Sequence, residues 1–434
     1  MDGPPRLLLL ELNEVNFEMV DAYAACGDLP NFRRLFDTHG YCQTSSETEY
    51  KNLEPWIQWV TAHTGLTLAE HGVFRLGDIV EHQHEQIWEL LESRYGIRTG
   101  AVSPMNAQNR CVDPAFFIPD PWTDTEVIAT DSVKRLFSII RLMVNENTQS
   151  KIGLRSLCEL AKGLMRFGQV ANYGRYLKFL MGAGKGPWRK ALILDQLLAD
   201  LFINETARTR PEFASIFLNA AAHVQHHYLF NSKLYKGDQK NPGWYVAANT
   251  DPVWETYKAY DSIIGDIQKK FPDTQLMIAT GLHQEPYPKT TYYWRLNDHA
   301  DFLRKAGVPF QSVEPRMSRD FLVSCKDVRQ AKDAQRVLQS AHTDSGETLF
   351  EVDRREDSLF VMLAYPNDIS HSTTWQCGEK LMGSLREDVG FVAIKNGEHS
   401  GIGYFLDNGS GRLPRDTHEP LTAVPEKMMA VFEQ

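Results

Sequence analysis

The sequence predicts an α/β sandwich built on a mostly parallel sheet. Three observations predict it. Short apolar runs recur between stretches of helical periodicity. At 434 residues the chain is long enough for two or three structural units. Its composition, 42% hydrophobic and 24% charged, supplies a large core, yet no segment reaches the roughly 20 apolar residues of a membrane span.

The elements follow in order. "RLLLLEL" (6–12) reads as a first buried strand. It is too short for a secretory signal, Glu11 interrupts it, and no small-residue cleavage site follows. An amphipathic stretch then runs to Phe36. "IRTGAVSP" (97–104) follows the helical "HQHEQIWELLESRYG". "FASIFLN" (213–219) follows "ALILDQLLADLFINETA", "DTQLMIAT" (273–280) follows "YKAYDSIIGDIQKKF", and "GFVAIKNG" (390–397) comes late. Such alternation gives a parallel sheet with sites at the carboxyl ends of its strands.

Two segments stand apart. Residues 134–190 hold twelve Lys or Arg against two acids, Glu146 and Glu159, with apolar residues at helical spacing in "VKRLFSIIRLMV" and "LRSLCELAKGLMRF". This is read as a basic helical cap insertion, 131–190, dividing a core of 1–130 and 191–434. Its cations face either plain solvent or an anionic substrate or membrane surface. At about 317–364, "RDFLVSC" and "SLFVMLAY" flank the polar helix "DVRQAKDAQRVLQSA", a small α+β subdomain.

A net charge of −10 argues against nucleic-acid binding by the whole surface. The six cysteines, Cys26, Cys42, Cys111, Cys158, Cys325 and Cys377, form no CxxC pair, so neither a disulfide framework nor a zinc knuckle is indicated. A reducing cytoplasm is the simplest compartment.

The strand ends carry the chemistry. Asn13 and Glu14 follow the first strand. "AAAHVQHHY", with His223, His226 and His227, follows "SIFLN". "GLHQ", with His283, follows "LMIAT", and "EHSGIG", with Glu398 and His399, follows "VAIKNG". Imidazoles and carboxyl-type oxygens converging on one sheet edge are what a zinc or manganese site uses.

In this order the pieces resemble the alkaline phosphatase superfamily, in its type I phosphodiesterase and nucleotide pyrophosphatase branch. "LPNFRRLFDTHG", "HTGLTLAEHGV", "FFIPDPW", "AHVQHHY" and "GEHSGIGYF" match that branch's motifs in sequence order. The resemblance implies a hydrolase or transferase of phosphate or sulfate esters, with two divalent metals held by Asp and His and a Thr or Ser nucleophile between them.

The chain departs from that pattern. Asn13 stands at the first-strand Asp, Ala222 at the second, and Gly281 or Leu282 at the third. His226, His283 and His399 remain and, with Asn13, are the candidate metal ligands. A shifted register, "NAAAH", brings in Asn219 and His223. Around the nucleophile position, Leu53, Glu54 and Pro55 offer neither hydroxyl nor thiol. Glu54, ionised near neutral pH, becomes the candidate base or nucleophile, with His223 as a second catalytic candidate. The nearby hydroxyls Thr44, Ser45, Ser46 and Thr61 fit only in an unusual register.

With so few acids the expectation is one divalent metal or none. The substrate expected is an anionic small molecule or a glycan- or lipid-linked ester. Two alternatives stay open: other acid–base or covalent chemistry by Glu54, for example on a glycoside, and an inactive protein that binds an anion or a partner.

Overall fold

The computed structural model describes residues 3–145, 154–316 and 319–433. Residues 146–153 of the helical insertion and 317–318 of the expected subdomain lie outside them. The chain divides into two units, one of residues 1–237, 242–286 and 397–434, the other of residues 238–241 and 287–396.

The larger unit is built on an eight-stranded sheet. Its first six strands in chain order are β1 (Leu7–Leu12), β2 (Cys42–Ser45), β3 (Thr99–Val102), β4 (Phe116–Ile118), β5 (Phe213–Leu218) and β6 (Gln275–Ala279). β1 lies between β5 and β6, parallel to both, and β3 and β4 continue the parallel order beyond β5. Ile402–Asp407 runs antiparallel between β6 and β2, and His418–Pro420 closes the edge parallel to β2. One antiparallel strand in a parallel sheet is the mixed α/β architecture that the alternation of elements predicts.

The strands are apolar because both faces are covered. Leu8, Leu10 and Leu12 of β1 enter one core with Phe17, Phe36, Phe202 and Tyr257. Leu7 and Leu9 enter the opposite core with Trp59, Trp88 and Phe217. Period-two alternation puts Glu11 on that second face. There it meets His63 at 3.3 Å, with both side chains fully buried.

The expected strand at 390–397 exists but lies elsewhere. It is part of Val389–Ser400, which pairs with His283–Leu296 in a two-stranded ribbon. The late strand of the main sheet is Ile402–Asp407, buried along almost its whole length, whereas Val389–Ser400 is only half-buried. Strands inside a parallel sheet need apolar residues on both faces.

The insertion is helical at Asp131–Asn145, Leu154–Phe167 and Tyr173–Gly182. Val133, Leu136, Ile140, Phe167, Tyr176 and Phe179 join the first core. No described helix is long and apolar enough to cross a membrane.

The smaller unit extends well beyond 317–364. A four-stranded antiparallel sheet, ordered Phe350–Arg355, Ser358–Leu363, Asp320–Ser324 and Ser312–Pro315, is covered by the helix Val328–Gln339. That helix buries Ala331, Ala334 and Leu338 in a core with Phe302, Phe321 and Trp375.

Candidate functional site

Every site residue discussed here belongs to the larger unit. The site forms where β1, β5 and β6 end. After Leu12 the chain turns through Glu14, which has φ +60°. A left-handed backbone is uncommon for a residue with a Cβ and costs on the order of 1–3 kcal/mol. Here it is held from both sides: Glu14 N–H donates to the Thr280 carbonyl at 3.1 Å, and Gln225 donates to the Glu14 carbonyl at 2.7 Å. The turn aims the Glu14 carboxylate inward, where it is buried.

Two histidines meet it. His226 lies on the helix Ala220–Tyr228, four residues after Ala222 and so on the same helix face. His399 lies near the end of Val389–Ser400. Glu14 Oε2 stands 3.3 Å from His226 Nε2 and 3.3 Å from His399 Nε2, and the two nitrogens are 3.2 Å apart. Among the described residues, this is the one group of His, Cys, Asp and Glu close enough to share a metal ion.

The electrostatics agree from both ends. Burial alone would raise the Glu14 pKa, but His399 and His226 outweigh it and hold the carboxyl well below the usual range. Burial would lower the pKa of His399, but Glu14, then Glu54 and a hydrogen bond to the Leu53 backbone, raise it. Glu14 is thus a buried negative charge that draws positive charge to it.

Neutral amides fix the carboxylate. Asn13 donates to Glu14 Oε1 at 3.2 Å and to Asn219 at 2.8 Å, while its own Oδ1 accepts the Trp59 indole N–H at 2.7 Å. The Gln284 amide donates to Glu14 Oε2 and, at 3.0 Å, to the Ala222 carbonyl. Tyr257 donates to Gln225 at 2.6 Å.

Glu54 occupies the N-cap position of the helix Pro55–Thr64, where proline at N1 and a left-handed Gly65 mark the ends. The helix dipole favours a negative charge there. Its carboxylate lies 3.9 Å from His399 Nδ1 and is about one-third exposed.

The other sequence candidates fall elsewhere in the site region. Asn13 touches Glu14 and holds it. His283 is buried, its Nδ1 2.5 Å from the Ile402 carbonyl and its Nε2 3.5 Å from Glu285. His223 is exposed, in ring contact with His227 at 5.0 Å. Of the hydroxyls, Thr61 pairs with His71 at 3.2 Å and Ser46 bonds to Gln58.

The sequence places Glu14 among the strand-end acids without making it the central ligand, and nothing in it singles out Gln225, Gln284 or Trp59. The acid in "ELNEVNF" was visible, but counting along a regular strand points to residue 13. Only the left-handed turn makes residue 14 the one that faces inward.

No protein-family model matches the sequence, and no curated protein matches it. Solved structures similar in fold include phosphonoacetate hydrolase from Sinorhizobium meliloti 1021, in complex with phosphonoformate. It is 11% identical, with a TM-score of 0.47 over 99% of this chain and 96% of that one. Human ectonucleotide pyrophosphatase/phosphodiesterase 5 is 10% identical, with a TM-score of 0.43 over 99% and 95%. The alkaline phosphatase PafA is 10% identical, with a TM-score of 0.44 over 100% and 96%.

Proposed function

We propose that the chain is a hydrolase of phosphate or sulfate esters whose site holds one divalent metal, zinc or manganese, on Glu14, His226 and His399. One observation carries this reading. The three ligand atoms form a near-equilateral triangle of 3.2–3.3 Å. Three ligands of a tetrahedral zinc ion, each about 2.0–2.1 Å from it, stand about 3.3–3.4 Å from one another.

The surroundings support one ion rather than two. Gly281 stands where the resemblance expects an acid. A Cβ there would lie 3.2–3.4 Å from the Trp59 indole, at φ +71°. Asn13, at another expected acid, is bonded to the same indole. Trp59 therefore fills the space beside both positions, and neutral amides replace the carboxylates that a second cation would need.

An ion held by Glu14, His226 and His399 would supply Lewis-acid chemistry to the ester. The chain's own residues do the rest. Glu14 supplies the buried negative charge. The Leu53 backbone holds His399 by a hydrogen bond, the kind of outer partner that fixes metal-binding imidazoles. Glu54, partly exposed beside His399, can accept a proton from an attacking water at Oε2. With Thr61 and Ser46 bonded elsewhere, water activated by a carboxylate is the nucleophile that this geometry favours.

The test is hydrolysis of p-nitrophenyl phosphate, bis-p-nitrophenyl phosphate and p-nitrophenyl sulfate, with added zinc or manganese. Activity on at least one ester is expected, and Glu54→Gln should lower it by about a hundredfold or more. Full activity in Glu54→Gln would remove Glu54 from the chemistry.

A further inference from the structure

Among the described residues, one side of the helical insertion carries exposed apolar side chains. The helix Tyr173–Gly182 buries Tyr176 and Phe179 in the main core. Its Tyr173, Leu177, Leu180 and Met181 are 42%, 59%, 52% and 78% exposed. At 3.6 residues per turn these four positions fall within about 100° of arc. They form one stripe facing away from the core. The Tyr173 hydroxyl donates to the Met165 carbonyl at 3.3 Å, which ties the preceding helix to the stripe. Met165 and Val170, both largely exposed, extend it. A solvent-facing helix side normally carries polar residues, and a contiguous apolar patch marks a docking surface.

Its charge is as one-sided as its polarity. Residues 160–194 contain seven cations, Lys162, Arg166, Arg175, Lys178, Lys185, Arg189 and Lys190, and no acid, in a chain of net charge −10. Arg175 and Arg189 are paired inside the fold with Asp266 and Glu255, and Lys162 is paired with Glu159. Arg166, Lys178, Lys185 and Lys190, all within the same run of sequence, are exposed.

We propose that this face, from Met165 to Lys190, docks on an anionic lipid surface. Leu177, Leu180, Met181 and Met165 enter the boundary between headgroups and acyl chains, and the lysines meet lipid phosphates. Charge complementarity selects this occupant. A second copy would set the same cations against each other. A nucleic acid would take the cations but leave aliphatic side chains in water. A bilayer takes a convex apolar helix face without a matching groove. The inference goes beyond the catalytic reading, since neither Glu54 nor any residue of the Glu14–His226–His399 cluster lies in this face.

Flotation of the full chain with vesicles tests it. Vesicles containing about a quarter phosphatidylserine should carry the protein up, and pure phosphatidylcholine should not. Binding should fall at least about tenfold between about 50 and 500 mM salt. The triple variant L177S/L180S/M181S and the double variant K178E/K185E should each lose at least about tenfold in partitioning. Both should keep the parent melting temperature, because the altered side chains are exposed. The proposal is overturned if the parent does not bind anionic vesicles, binds phosphatidylcholine equally, or if both variants bind as well as the parent. It is also overturned if the parent is a dimer that the triple variant dissolves and neither form binds vesicles.

Discussion

Glu14 and His399 meet at 3.3 Å, Oε2 to Nε2, because one residue with a Cβ adopts φ +60° at the end of the first strand. That turn moves the acid of the site from position 13 to position 14. Residue 13 is left to an amide that braces the acid against Trp59 and Asn219.

Asn13→Asp therefore restores the residue type that the superfamily resemblance expects without restoring a second metal site. It places a second buried carboxylate against Glu14, an unpaired charge worth about 3–5 kcal/mol of destabilisation. Its melting temperature should drop, and its metal content should stay at one ion per chain. Two ions in this variant would show that Trp59 does not block the second position.

Gly397 is bound to its size. A Cβ there would stand 2.0 Å from Gln284 Oε1 and 2.9 Å from the Gln225 carbonyl, both parts of the frame around Glu14. Gly397→Ala should displace Gln284 and weaken metal binding by about tenfold or more, the scale for loss of an outer partner of a ligand. Calorimetric titration with zinc checks it, and an unchanged affinity would show that Gln284 does not position Glu14.

Thr61→Ala should leave hydrolysis within a few-fold of the parent, because its hydroxyl is fully buried against His71. Loss of its packing and hydrogen bond should cost about 1–2 kcal/mol in stability. Abolished activity in a folded Thr61→Ala protein, measured with the p-nitrophenyl esters, would make that hydroxyl the nucleophile.

Much of this was legible in the sequence. His226 of "AHVQHHY" and His399 of "GEHSGIGYF" reach the cluster, and Glu54, between the positions Leu53 and Pro55 to which the family spacing points, lies beside it. The parallel core was legible too, since "LLLLEL" and "FASIFL" are buried on both faces. Glu14 was visible at the end of the first strand, but its central place was not, because a backbone torsion leaves no periodic trace. The extent of the smaller unit was also hidden. Its flanking strands, such as Thr374–Cys377 and Lys380–Ser384, are short and half-polar, and register on such strands is weakly specified.

Asp195 gives the fold a pH dependence of its own. Burial pushes its pKa up to about 6, against hydrogen bonds from the Ala220 N–H and the Tyr260 hydroxyl. A group whose folded pKa is raised stabilises fully below its unfolded pKa and loses that contribution as pH rises through the folded value. The window is therefore from about pH 4 to about pH 6, and the effect is at most about 3 kcal/mol. Asp195→Asn keeps an acceptor and removes the titration. Its stability relative to the parent should rise across that window in urea unfolding, and a constant difference would refute the assignment.

The most direct test is titration of the metal-stripped chain with zinc and with manganese, followed by elemental analysis. The parent should bind one ion per chain, and Glu14→Gln, which keeps the shape and removes the buried charge, should bind at least about a hundredfold more weakly. Two ions per chain in the parent, or undiminished affinity in Glu14→Gln, would contradict a single site built on Glu14, His226 and His399.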